Sequence, residues 1–155
     1  SNTGCEFAYR MSFFKKHPEW IVLDVRIQLK SVEPKEGTRL IEETIAERER
    51  RHIQNVRAAG SYFLNPVVPE TVRDMFEKEK GVKSREGRIP AGWLIEKAGM
   101  KGARKGDAAA SVQHPNYLVN LGGASSSDVR ALASEIKKKV KEKFGVELQE
   151  EAVVL

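Results

Sequence analysis

An apolar stripe near the end of the chain is bounded on both sides by residues that start and stop helices. Its members recur every three or four residues and are Val129, Leu132, Ile136, Val140 and Phe144. Ser125 or Ser126 can cap the first turn, and Gly145 can adopt the left-handed conformation that ends a helix. The sequence therefore predicts an amphipathic helix, whose apolar face must be covered by a second layer of structure.

A pattern with a period of two covers Trp20–Leu29, where apolar residues alternate with other residues. The alternating residues are Ile21, Leu23, Val25, Ile27 and Leu29. This pattern predicts a half-buried β-strand, for which Cys5–Arg10 is a candidate antiparallel partner. Three further strands are expected at Ala108–Val112, Tyr117–Leu121 and Val146–Leu155.

Three further segments have helical features, and they cover Thr38–Ala58, Glu70–Lys80 and Ala91–Ala98. Gly60 follows the first of these and can stop it. The stretches Gly81–Arg88 and Gly102–Asp107 lack periodicity and are expected to be irregular. Because strands and helices are mixed without a repeating βαβ order, the sequence predicts an α+β fold, with a small mixed or antiparallel sheet packed against helices.

The charged residues favour a soluble globular chain and only weakly favour a polyanionic partner. Among 155 residues, 27 are Lys or Arg and 22 are Asp or Glu, which gives a net charge of +5. Most basic residues stand among acidic ones at helical spacing, as in Glu47–Arg51, and such mixtures are typical of solvated helix faces. The longest apolar run, Trp20–Leu23, is too short for a membrane span. The single cysteine, Cys5, excludes an internal disulfide and a cysteine zinc site.

Several polar residues lie beside glycines or in predicted loops, where functional groups often occur. They are Ser61, Lys101, His114, Glu150 and Glu151. Each has a structural alternative when taken singly, since Ser61 can satisfy a backbone group and His114 can be a turn residue. The three histidines lie on different predicted elements without metal-binding spacing, so no metal site is predicted. The pair Gly122–Gly123 lacks a phosphate-binding motif around it.

The order of several motifs along the chain is more informative than any one of them. In order they are Phe7–Lys15, Gly60–Val68, Ile89–Glu96, Gly99–Gly102, Gly106–Ser111 with His114 and Asn120, and Lys141–Glu151. This series resembles UDP-N-acetylenolpyruvoylglucosamine reductases, also called UDP-N-acetylmuramate dehydrogenases or MurB, which are flavoproteins of peptidoglycan synthesis. The resemblance covers nearly the whole chain.

Members of this family are about twice as long, and the resemblance implies that this chain is a C-terminal fragment. Residues 1–32 would then be remnant strands of the FAD-binding domain, and residues 33–155 the substrate-binding domain. FAD and NADPH would serve the full-length enzyme, with FAD expected to be absent from this fragment. The implied partners are UDP-N-acetylglucosamine enolpyruvate and the missing N-terminal FAD domain, without nucleic acid or membrane, in the bacterial cytoplasm.

The resemblance also implies roles for six residues in forming UDP-N-acetylmuramate. Ser61 matches the proton donor, Glu151 the active-site acid and Arg10 the cation that holds the enolate. A register slip of one residue would exchange Glu150 for Glu151. The residues expected to contact the nucleotide sugar are Asn65, Lys101 and His114. The chain departs from the usual motif at Leu64, where many members carry lysine and where one phosphate or cofactor contact would otherwise be made.

Two other functions are alternatives to the reductase. One is an isolated, non-catalytic domain, for which the sequence offers no positive feature. The other is a small basic nucleic-acid-binding module, which would need exposed aromatic residues beside basic ones. We instead expect the aromatic residues Trp20, Phe63, Trp93 and Phe144 to lie in the core.

Overall fold

The computed structural model describes residues 2–51 and 56–152. The chain divides into two compact units, Ser1–Glu42 and Glu43–Leu155. We describe each unit by itself.

The first unit contains two helices and no strand in its described residues. A short 3-10 turn at Asn2–Cys5 is followed by helix α1 at Phe13–Lys16. The hydroxyl of Ser12 caps α1 by accepting a hydrogen bond from the N–H of Lys15 at 3.4 Å. Helix α2, Pro34–Arg51, begins in this unit, and Pro34 suits the first turn because its missing N–H has no helical partner to lose.

The predicted strand at Trp20–Leu29 is wrong, and with it the expectation of remnant strands within residues 1–32. The segment is irregular, and its alternating apolar side chains are exposed, with Leu23 at 93%. A strand needs a neighbour for its backbone groups. The expected partner segment instead folds into a tight turn, in which Ala8 and Met11 exchange backbone hydrogen bonds of 3.0 and 3.1 Å. Trp20 is 58% exposed, so its expected place in a core is also wrong.

The described residues of the second unit form a four-stranded antiparallel sheet with three complete helices and the end of α2, which confirms the α+β prediction. The strands are β1 Arg57–Ser61, β2 Arg104–Lys105, β3 Ala108–Ala110 and β4 Tyr117–Asn120, in the order β1-β4-β3-β2. The helices are α3 Glu70–Lys80, α4 Ala91–Lys97 and α5 Ser126–Phe144. All three helices lie where the sequence predicts them.

Helix α5 contributes to the core because its apolar stripe points inward as expected. Leu132, Ile136 and Val140 are completely buried, and α5 contacts β2, β3 and α4. A capping box fixes its start, since the Ser125 hydroxyl accepts from the N–H of Asp128 and the Asp128 carboxylate accepts from the N–H of Ser125. The helix ends at Gly145, which adopts the expected left-handed conformation with φ +67°.

Three segments of the second unit differ in type from the sequence prediction. The helix predicted to reach Ala58 is described only to Arg51, residues 52–55 lie outside the described part, and Arg57–Ser61 is strand β1. Pairing with β4 has overridden the helical preference of that segment. The predicted irregular stretch Gly102–Asp107 contains the short strand β2, which pairs with β3. In place of the predicted last strand, residues 146–152 form only an isolated bridge, and residues 153–155 lie outside the described part.

Candidate functional site

A β-bulge lies directly before Ser61. Ala58 pairs with Val119 and Ser61 pairs with Tyr117, so residues 59 and 60 together stand opposite one residue of β4. Gly60 takes φ +84°, a conformation that glycine adopts without steric cost. Because a bulge shifts the phase of a strand by one residue, Ser61 takes the pairing position that an unbulged strand would give to Gly60.

The segment after Ser61 pairs with the end of the described chain. The N–H of Glu151 donates to the carbonyl of Tyr62, and the N–H of Leu64 donates to the carbonyl of Gln149, both at 2.8 Å. Phe63 and Glu150 form the antiparallel bridge between these two hydrogen bonds. The backbone beside Ser61 is therefore in direct contact with the acidic pair Glu150–Glu151.

The opposite edge of the same segment is held by a buried asparagine that the sequence analysis did not single out. Asn116 is 2% exposed, and its side-chain amide both accepts from the N–H and donates to the carbonyl of Phe63, each at 2.9 Å. Its own carbonyl accepts from the N–H of Tyr62 at 2.8 Å. Its place after His114 and Pro115 indicated a turn, and no sequence signal pointed to a distant backbone partner.

The two acidic residues have different surroundings. The Glu150 carboxylate accepts from the Tyr62 hydroxyl at 3.3 Å and pairs with the Lys137 ammonium group at 3.2 Å. Burial, reinforced by the negative charge of Glu150, raises the pKa of the Tyr62 hydroxyl, which therefore remains a donor at neutral pH. Glu151 is half-buried at the same segment.

A cleft of about 290 Å³ borders both paired segments. It is lined by Leu64, Asn65, Pro66, Val67, Arg88, Glu147 and Gln149. The Asn65 side-chain carbonyl accepts from the N–H of Ala91 at 3.0 Å and so caps the start of α4. The Arg88 guanidinium donates to the main-chain carbonyl of Asn65 at 3.0 Å. Asn65 thus has a structural role here, and Leu64 presents an aliphatic chain to this cleft.

His114 and Ser61 share Tyr117 as a neighbour. Its ring packs on the ring of Tyr117, with centroids 4.4 Å apart, and Tyr117 is the pairing partner of Ser61. The N–H of His114 donates to the hydroxyl of the buried Ser111 at 3.3 Å. Lys101 lies on the surface after α4, where its ammonium group pairs with Glu96 at 2.9 Å.

Arg10 belongs to the first unit. It lies in the turn between Ala8 and Met11 with φ +56°, and its carbonyl accepts from the Lys15 ammonium group at 3.1 Å. Within the second unit, backbone contacts join Glu151 to Tyr62, the residue after Ser61, and Tyr117 contacts both Ser61 and His114.

Three other features of the described residues concern phosphate groups, metal ions and membranes. The Gly122 and Gly123 amides donate to the side chains of Asn120 and Asp107, so internal acceptors occupy the positions that a phosphate would need. Within residues 2–51 and 56–152, no group of three or more His, Cys, Asp or Glu side chains is arranged to hold a metal ion. Nor does that part of the chain contain a helix long and apolar enough to cross a membrane.

The chain is similar to proteins of one family throughout most of its length. It is 33% identical over 147 residues to UDP-N-acetylenolpyruvoylglucosamine reductase of Solibacter usitatus, covering 95% of this chain and 47% of the relative. The Pseudomonas aeruginosa protein of the same name is 38% identical over 176 residues, with 96% and 52% covered. The chain thus spans about half the length of the curated relatives it matches.

A solved structure and a family model agree with these relatives. The crystal structure of UDP-N-acetylenolpyruvylglucosamine reductase (MurB) from Thermus caldophilus superposes with a TM-score of 0.62 at 33% identity, covering 94% of this chain and 44% of that one. The model of the UDP-N-acetylenolpyruvoylglucosamine reductase C-terminal domain matches residues 51–155. This chain therefore belongs to the family of the UDP-N-acetylenolpyruvoylglucosamine reductase C-terminal domain.

Proposed function

We propose that this chain supplies the substrate side of a UDP-N-acetylenolpyruvoylglucosamine reductase. In this reaction UDP-N-acetylglucosamine enolpyruvate is reduced to UDP-N-acetylmuramate, with NADPH as the reductant. The observation that carries the proposal is the pairing of Tyr62–Leu64 with Gln149–Glu151, because it brings the backbone of the proton-donor candidate next to that of the acidic candidate.

The reduction of an enolpyruvyl double bond needs one hydride and one proton. The flavin, when it is bound, supplies the hydride. After hydride addition, negative charge develops on the substrate carboxylate, and the adjacent carbon must receive a proton. We assign proton donation to the Ser61 hydroxyl. A serine hydroxyl is a weak acid, so its alkoxide must be supported by neighbouring polar groups.

We assign the acidic role to Glu151 rather than Glu150. The Glu150 carboxylate faces the Tyr62 hydroxyl and the Lys137 ammonium group. Successive residues of an extended segment point to opposite faces, so Glu151 is directed away from that pair. In protonated form, Glu151 would donate a hydrogen bond to the developing enolate.

The remaining contacts with the nucleotide sugar are assigned to Asn65, Lys101 and His114. Asn65 and His114 lie on segments that adjoin Ser61, which supports a shared binding surface. Asn65 has a side-chain amide nitrogen to offer in addition to the oxygen that caps α4. Arg10, in the first unit, would hold the substrate carboxylate as a fixed cation, for which a guanidinium fork is well suited.

We place the flavin outside this chain's second unit. The glycine amides that could receive its phosphates there, at Gly122 and Gly123, are bonded to Asn120 and Asp107. The complete enzyme would join residues 33–155, as the substrate domain, to a flavin-binding half that includes residues 1–32. It would use FAD and NADPH in the bacterial cytoplasm.

A chimeric enzyme tests the proposal. This chain would replace the matching half of the Solibacter usitatus relative, and the two half-reactions would be followed by flavin absorbance in stopped flow. We expect Ser61→Ala to leave flavin reduction by NADPH unchanged and to slow reoxidation by the enolpyruvyl substrate by about 10³-fold or more. Equal slowing of both half-reactions would refute the role of Ser61. An unaltered chimera that binds flavin but never transfers hydride to the substrate would favour a non-catalytic domain.

A further inference from the structure

The Tyr62–Leu64 segment is held along both edges by different kinds of partner. On one edge lies the main chain of Gln149–Glu151, with two hydrogen bonds of 2.8 Å. On the other edge lies one residue, Asn116, which makes three hydrogen bonds. Two of these hydrogen bonds come from its side chain, and they join it to the main-chain N–H and the main-chain carbonyl of Phe63.

The Asn116 side chain thus imitates the backbone of a neighbouring strand. An asparagine amide carries one carbonyl and one N–H2 group in a plane, like a peptide unit. An ionised aspartate in this place would lack the donor, and a leucine would lack both groups. Because Asn116 is 2% exposed, water cannot easily replace a bond that is lost, and an unsatisfied buried group is costly.

The position of Asn116 connects this clamp to the proposed site. The next residue, Tyr117, pairs with Ser61 across the bulge, and Tyr62, which follows Ser61, donates to the Asn116 carbonyl. Ser61 is therefore fixed from its Tyr62 side by Asn116, while the carbonyl of Tyr62 receives the N–H of Glu151. A change in the path of Tyr62–Phe63 would move Ser61 and Glu151 relative to each other.

We propose that Asn116 is a positioning residue, whose side-chain amide sets the spacing between the Ser61 hydroxyl and the Glu151 carboxyl. Asn116 acts through the main chain of Phe63 and not by touching the substrate. This inference rests on the proposed function of Ser61 and Glu151. It predicts a selective loss in the proton-transfer half of the reaction.

The first test uses amide hydrogen exchange of the 155-residue chain, measured by NMR. In the wild-type chain, we expect the Phe63 and Glu151 amides to exchange as slowly as the core amides of α5. Asn116→Leu keeps the branched side-chain shape and removes both the oxygen that accepts from the Phe63 N–H and the N–H2 group that donates to the Phe63 carbonyl. It should speed exchange at both amides at least tenfold, while α5 remains protected. Fast exchange at Phe63 in the wild-type chain would overturn the inference without any variant.

The second test uses the flavin-loaded chimera. Asn116→Leu and Asn116→Ala should slow substrate-dependent flavin reoxidation by about 10- to 100-fold, as expected for small displacements of reacting groups, and leave NADPH-dependent reduction unchanged. Val119→Ala, which trims a buried residue of the strand that follows Asn116, is the matched control, and it should lower the melting temperature without this selective loss.

The outcomes separate this inference from the proposed function. If Ser61→Ala slows reoxidation but both Asn116 variants react like the wild type, Asn116 is not a positioning residue and the proposed function stands. If the unaltered chimera has no reductase activity, the proposed function fails, and the hydrogen-exchange result alone decides whether Asn116 fixes Glu151. If Val119→Ala shows the same selective loss, general destabilisation explains the effect and the inference is overturned.

Discussion

The main-chain N–H of Glu151 donates a 2.8 Å hydrogen bond to the carbonyl of Tyr62, the residue that follows Ser61. A contact between positions so distant in sequence has a high cost in chain entropy, which the surrounding core must offset. Phe63 and Leu148, on the two paired segments, are both almost completely buried. The apolar core thus stabilises the contact that joins the two candidate catalytic groups.

The two adjacent glutamates should differ sharply when each is neutralised. We expect Glu151→Gln to slow substrate-dependent flavin reoxidation by about 10²-fold or more, because the developing enolate loses an acidic partner. Glu150→Gln should react at nearly the wild-type rate, since glutamine can still accept from the Tyr62 hydroxyl. Single-turnover stopped flow in the chimera measures both. If Glu150→Gln slowed reoxidation more than Glu151→Gln, the acidic role would belong to Glu150.

Gly60→Ala should impair the site more than its effect on stability suggests. Nothing lies within 4 Å of the added Cβ, so the cost arises from the backbone at φ +84° and should be about 1 kcal/mol. Gly145→Ala is a matched control, with φ +67° and equally open space at the end of α5. Urea unfolding should show similar losses for both variants, and only Gly60→Ala should slow reoxidation. Equal kinetics would mean that the bulge does not orient Ser61.

Glu77 should make a stabilising contribution that disappears in acid. Hydrogen bonds from the Lys83 ammonium group and from the N–H and hydroxyl of Ser84 lower its pKa from 4.5 to about 2. A lowered folded-state pKa stabilises the fold above the unfolded value, and this contribution is lost as the pH falls from about 4.5 towards 2.

Glu77→Gln should therefore lower the free energy of unfolding at pH 7, and the difference from the wild type should shrink across that pH range. Urea denaturation at a series of pH values measures this. Glu70→Gln is the control, because Glu70 forms an exposed pair with Arg73 on the same helix and such pairs contribute little. A difference for Glu77→Gln that does not vary with pH would contradict the prediction.

Ser125→Ala should destabilise the chain by about 1 kcal/mol, because α5 loses the side-chain half of its capping box. Ser126→Ala, one residue further on, replaces an exposed helical residue by a better helix former and should have little effect. Thermal or urea unfolding compares the two variants directly. A larger loss of stability for Ser126→Ala would show that Ser126, and not Ser125, caps the helix.

The helices were predictable because their signals are local. For α5, the apolar stripe, the serine cap and the terminal glycine all lie within the helix or at its ends, and each appears in the structure. For Trp20–Leu29, the alternation was equally clear, but a strand depends on a partner that no described segment supplies. The path of residues 57–61 was decided by β4, more than fifty residues away in sequence.

In the candidate site, too, the sequence shows the local motifs but not the long-range contacts. Ser61 and the acidic pair were identified by resemblance to family motifs, and their joint neighbourhood depends on pairing that no local pattern specifies. Asn116 was missed because asparagine beside proline is typical of turns, whereas its side chain here substitutes for a strand. The choice between Glu150 and Glu151 became arguable only when the Tyr62 and Lys137 contacts were known.

The pairing of Tyr62–Leu64 with Gln149–Glu151 also bears on biosynthesis. While the ribosome is still making α5, the partner that Tyr62 and Leu64 require has not yet been translated. Asn116, which binds the other edge of this segment, is translated earlier. A translational stop just before residue 149 would thus yield a product that encodes the sheet and helices in full but leaves one edge of Tyr62–Leu64 without its main-chain partner.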